Sequence, residues 1–167
     1  MPPVKAFQLH LGASITWVIL EVRDLTTRAE WQLLAEDRIL DAQAHLAPGV
    51  GRWSAAYYLI GYAVECGLKS CVLAHVGAHP EVIYEDRRFS QDAWTHDIER
   101  LVAVAGLKAD RDNDAAANPA LDTNWQRTKD WSEQSRYLQK TPAEAQRLFD
   151  AVTHPNDGVM QWIRLRW

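Results

Sequence analysis

The sequence predicts an all-α domain, an antiparallel bundle of four longer helices plus a short one. Three observations lead there. Two capping boxes, Thr27-Arg28-Ala29-Glu30 and Thr141-Pro142-Ala143-Glu144, each open a stretch with apolar residues at helical spacing. The stretch from Trp53 to His75 is apolar nearly all round, as a helix packed on several sides must be. No alternation of apolar and polar residues of the strand kind follows residue 27.

Each element has a local reason. Residues 1–26 read as an N-terminal arm, extended or disordered, outside the domain at 27–167. Its apolar run LGASITWVIL (11–20) is too short to span a bilayer and rich in β-branched residues. The first helix opens at the Thr27 box and runs to about Leu46, where APGVG (47–51) ends it. The second runs from Trp53 to His75, closed by Gly77 and Pro80. PEVIYEDRRFSQDAW reads as a loop. Thr95 is the expected cap of a short helix through HDIERLVAVAGL, which Gly106 ends. KADRDNDAAANP reads as a polar loop. ALDTNWQRTKDW sets Leu121, Trp125, Thr128 and Trp131 on one helical face, and SEQSRY connects it to the Thr141 box, with Pro142 at the first helical position. That helix reaches about Thr153; after Pro155 and Gly158, VMQWIRLRW continues as a bent final segment.

With 167 residues and 47% apolar content the chain can bury one proper core. A net charge of -4 and a pI near 5.8 exclude a global basic field for DNA or RNA, while leaving room for a local nucleotide site. Cys66 and Cys71, the only cysteines, lie five apart on one helix and do not face each other, which suits a reduced cytoplasmic setting. Most of the eight tryptophans fall at helical spacing as core anchors.

Chemistry concentrates on the second helix. At about 100° per residue, Tyr58, Tyr62, Glu65 and Lys69 share one narrow arc of a helix that is otherwise apolar. Glu65 and Lys69 form an i, i+4 pair in the favourable order, which suits either an internal strut or, with the two tyrosine hydroxyls, a polar groove for base, ribose and phosphate. His96-Asp97 stands at the start of the short helix, where the histidine is a first-turn residue able to point at that groove. Arg136-Tyr137 lies in the connection before the last capped helix, where an arginine fork suits a carbonyl or a phosphate. Cys71, His75 and His79 have metal-like spacing but no fourth ligand, so no metal and no cofactor are expected.

GYAVECGLK, then THDIERL, then SRY before a final capped helix, resemble the HEPN domain family in both motif and order, over residues 27–167. The resemblance is strongest to stand-alone bacterial members with a tyrosine-rich second helix and a tryptophan-rich fourth. It implies an all-α bundle, frequently a homodimer, that binds a nucleotide or a nucleic-acid-related ligand. Several members accompany a minimal nucleotidyltransferase in toxin–antitoxin or defence modules, and others are metal-independent RNases. The RNase members carry an arginine followed by a histidine after four to six intervening residues, near the start of a late helix. Here the histidine following Arg136 is His154, Arg88 to His96 is also too long, and the one formal match, Arg38 to His45, lies along the first helix.

The resulting expectation is a non-catalytic domain without a membrane partner, its ligand held by Tyr58, Tyr62, Glu65, Lys69, His96, Arg136 and Tyr137. One alternative is a metal-independent RNase using His96 and Arg136. Another is a dimerisation module in which Trp162 and Trp167 help form the partner surface.

Overall fold

The computed structural model describes residues 5–11, 14–20 and 27–167, with side chains described from residue 27 onwards. Strands β1 (Lys5–Leu11) and β2 (Ser14–Leu20) pair antiparallel, Phe7 opposite Val18. The other residues of the expected arm lie outside the described ones. From residue 27 the fold is all-α.

Helix α1 (Arg28–Leu46) opens as its capping box requires: Thr27 accepts from the Glu30 backbone N–H, and the Glu30 carboxylate accepts from that of Thr27. Helix α2 (Trp53–Ala78) outruns its expected end by three residues and stops before Pro80, which has no N–H to continue the ladder. It is long and apolar enough to cross a membrane by length and composition. In this fold it is the central helix, with Ile60, Val64 and Leu68 fully buried against neighbours on several sides.

The segment expected as a loop holds two one-turn helices, α3 (Val82–Glu85) and α4 (Phe89–Ala93), separated by a turn in which Asp86 accepts from the Arg88 N–H. Helix α5 (Ile98–Val104) is capped by Asp97, whose carboxylate accepts from the Arg100 N–H at 2.8 Å, and not by Thr95. Both residue types cap well. Placing the start at Ile98 buries that side chain completely, and Thr95 is left to accept from the Asp97 N–H. Gly106 ends the helix region at φ +71°, a left-handed conformation that suits glycine.

KADRDNDAAANP forms helix α6 (Lys108–Ala117), a second departure from the expected loop. The segment lacks an apolar face, and its attachments are polar instead. Asp114 accepts from the Trp162 indole N–H at 2.8 Å and from Arg166 at 2.6 Å, and the Arg111 guanidinium lies 6.0 Å from the Trp125 ring centre. Helix α7 (Pro119–Thr128) follows at once, capped by Asn118. A 3-10 turn (Glu133–Tyr137) takes the place of the SEQSRY connection. Helix α8 (Pro142–Thr153) has both halves of its capping box, and α9 (Val159–Arg164) completes the fold beyond Gly158.

Helix α2 packs against α1, α8, α5 and α9, and α7 against α8. Trp125 and Trp162 meet edge to face at 5.4 Å in the core. Trp162 is therefore a core residue rather than part of the partner surface expected for it: it is buried, and its N–H is bonded to Asp114. Trp167 is partly buried and packs against the same core.

Candidate functional site

The arc on α2 predicted from periodicity faces two irregular segments, residues 95–97 before α5 and the 3-10 turn. Both segments supply a titratable group, His96 from the first and Glu133 from the second. Glu65 stands at the centre, 1% exposed, with Lys69 one turn on at 8%. The Lys69 ammonium donates to Glu65 Oε1 at 2.8 Å and lies 5.0 Å from the centre of the Trp31 ring. Removing two charges from water is costly, and these are compensated only by each other and by what approaches them.

His96 approaches from the far side. Its Nδ1 lies 2.9 Å from the same Glu65 Oε1, and its Nε2 lies 3.2 Å from Glu133 Oε2. Because Asp97 is the cap, His96 precedes the helix rather than sitting in its first turn, and this position lets the ring turn inwards. The imidazole is held between two carboxylates, one buried and one reached by solvent. An imidazolium donates to both; a neutral ring donates to one. Arg136 lies 3.8 Å from Glu133 through an i, i+3 pair on the 3-10 turn, with its guanidinium 4.8 Å from the centre of the Tyr137 ring. A continuous chain of groups thus runs Lys69, Glu65, His96, Glu133, Arg136, from the core to the surface.

Aromatic rings flank this chain. Tyr58 stacks on Tyr62 at 6.0 Å and lies 5.9 Å from Trp131, so it already has aromatic neighbours. Tyr137 is 71% exposed and is the open ring. Burial pushes the Tyr62 hydroxyl well above its usual range, with Cys66 and Glu65 adding to the effect. Burial likewise raises Tyr58, while the Arg136 charge partly offsets it. The Cys66 thiol, next to Glu65 in sequence, is pushed up to about 12, chiefly by burial and then by that carboxylate. A thiol held there stays protonated at neutral pH. Two buried polar atoms here have no hydrogen-bond partner among the described residues, Glu65 Oε2 and the Trp131 indole nitrogen.

Of the seven expected residues, Glu65, Lys69 and His96 are in direct contact, Arg136 with Tyr137 joins them through Glu133, and Tyr58 and Tyr62 stack on each other beside Trp131. Lys69 is committed to Glu65 inside the network instead of being open to a ligand. The sequence reasoning missed Glu133, Trp31 and Trp131. Glu133 had a signal, its spacing of three from Arg136, which one 3-10 turn brings together. Arg38, of the formal arginine–histidine match on α1, is paired with Asp41 at 2.8 Å. Cys71 is buried, and the His75 and His79 rings lie 5.2 Å apart at the end of α2. No family model matches the chain, and no curated protein or solved structure matches it either.

Proposed function

We propose that this chain is a HEPN-type antiparallel bundle, built on α1, α2, α7 and α8 with α5 as the short helix, that binds a nucleotide or a short nucleic-acid segment without transforming it. The observation that carries the reading is the convergence of His96 and Arg136, from separate segments, on Glu133 beside an open tyrosine. Arg136, 44% exposed, takes the phosphate as a planar fork, and the base lies on Tyr137. His96 turns its Nε2 from Glu133 to ribose or phosphate when the ligand enters, while Glu65 and Lys69 set the ring's orientation from below. Tyr58 and Tyr62 form the aromatic wall behind it. In this reading the protein acts in the cytoplasm as a homodimer, alongside a minimal nucleotidyltransferase in a toxin–antitoxin or defence module.

The test is a thermal-shift series with ATP, GTP, AMP, NAD and short RNA, run on wild type, His96→Ala and Arg136→Ala. Ligand at a hundredfold its dissociation constant adds about 2.7 kcal/mol, a shift of about 5–11 °C for a chain of this size. A shift in wild type that both variants lose is the expected outcome. Unchanged melting with every ligand counts against the reading.

A second reading has its own supporting observation: a buried carboxylate 2.9 Å from His96 Nδ1 orients the ring, and Nε2 faces Glu133, a carboxylate that solvent reaches and that a substrate would have to displace. In it, His96 moves the proton of an RNA 2′-hydroxyl and Arg136 steadies the phosphate charge. It predicts RNA cleavage that resists chelators and disappears in His96→Ala. Intact RNA after prolonged incubation with concentrated wild-type protein removes it.

A further inference from the structure

Away from this site, a cleft of about 490 Å³ lies between the end of α2 and helices α3, α4 and α5. Its volume is within the range of small-ligand sites. Val82, Phe89 and Val104 give it an apolar lining, and Phe89 and Val104 also pack on the core, which fixes that part of the wall. At one end Asp92 and Arg100 are bonded to each other, so their charges cancel. At the other, Glu85 and Asp86 are exposed and have no ion-pair partner among the described residues. The last turn of α2 also borders the cleft. His75, in its last turn, lines the cleft, and Pro80 supplies no N–H to the Val76 carbonyl four residues earlier. The last turn of a 26-residue helix, its negative end, thus shares the cleft with two carboxylates that have no ion-pair partner among the described residues.

We propose that this cleft binds a primary alkylammonium group, its hydrocarbon chain along Val82 and Phe89 and its charge between Glu85 and Asp86. An anion is repelled by the carboxylates and the helix end. A metal ion is disfavoured because no group of three His, Cys, Asp or Glu side chains able to hold one occurs among the described residues. An ammonium on a short chain matches both parts of the wall: three N–H donors for the carboxylates, a cation for the Phe89 face and methylenes for the valine. A free alkylamine and a lysine side chain of another protein share that chemistry. The site is independent of the network around His96.

The experiment is an amide NMR titration of the full chain with n-butylamine, n-butanol and Nα-acetyl-lysine amide. Saturable shifts confined to residues 75–104 are expected with the two amines. The alcohol, equal in shape but uncharged, should bind about tenfold more weakly or worse, and the Glu85→Gln/Asp86→Asn double variant should weaken amine binding by about tenfold. Both substituted side chains are exposed, so the variant keeps its fold, checked by its unperturbed core resonances. Tighter binding of the lysine amide than of the free amine assigns the cleft to a partner's lysine, and the reverse order to a small amine. Equal response to amine and alcohol, no saturation, or binding undiminished in the double variant overturns the proposal.

Discussion

Glu65→Ala is expected to destabilise the protein by about 3–5 kcal/mol, among the largest effects of any single polar substitution in the chain. The residue is 1% exposed, and its Oε1 accepts from both Lys69 and His96. Removing it leaves the Lys69 ammonium buried, with the Trp31 ring, 5.0 Å away, as its one compensating contact among the described residues. Lys69→Met should cost less, because Glu65 then keeps its His96 contact while the methionine fills the space of the lysine stem. The double variant Glu65→Leu/Lys69→Met removes both charges together and should fall well short of the sum of the single losses.

Urea unfolding of the four proteins measures this, with unchanged m-values confirming that the same transition is compared. A Glu65→Ala midpoint within error of wild type would show that the pair is not held out of water. The double variant also separates the two roles the sequence left open for Glu65 and Lys69. If the pair is only a strut, a folded double variant binds nucleotide as wild type does. If Glu65 positions His96, the same variant is folded and binding is lost.

How much of this was legible in the sequence depends on how local each signal is. Helices α1 and α8 could be placed because a capping box is complete within four residues, and both boxes form as read. The α2 arc could be placed because periodicity needs only one helix. Helix α6 could not: what holds Asp114 and Arg111 lies on α7, on α9 and just beyond it, and no pattern within KADRDNDAAANP points to Trp162, Arg166 or Trp125. The start of α5 turned on which of two good capping residues also let Ile98 be buried, a question about the core. The site divides in the same way. Glu65, Lys69, His96 and Arg136 were marked by residue type and spacing, whereas Glu133, which joins His96 to Arg136, belongs to a 3-10 turn that the sequence showed only as a connection.

The second large effect concerns the wall behind that site. Gly61 lies in the middle of the longest helix, where glycine costs about 1 kcal/mol relative to alanine, so its position needs a packing reason. A Cβ at Gly61 would lie 2.2 Å from Trp131 Cδ1 and 2.3 Å from Cγ and Nε1. The indole rests directly on the helix backbone, 2% exposed, with Tyr58 beside it at 5.9 Å. Gly61→Ala should therefore destabilise by about 1–3 kcal/mol or more despite the better helix propensity, because the ring must leave its place. Trp131→Ala should cost about 3–5 kcal/mol through the cavity it opens. Combined, the two should cost no more than Trp131→Ala alone: the alanine at position 61 then has nothing to strike, and its helix propensity becomes a gain. Denaturant midpoints for the cycle decide it, and strict additivity would mean that the indole does not rest on Gly61. Because Trp131 abuts Tyr58, the Gly61→Ala variant should also lose near-UV dichroism and weaken any nucleotide binding at His96 and Arg136, through a displaced wall and with no ligand contact removed.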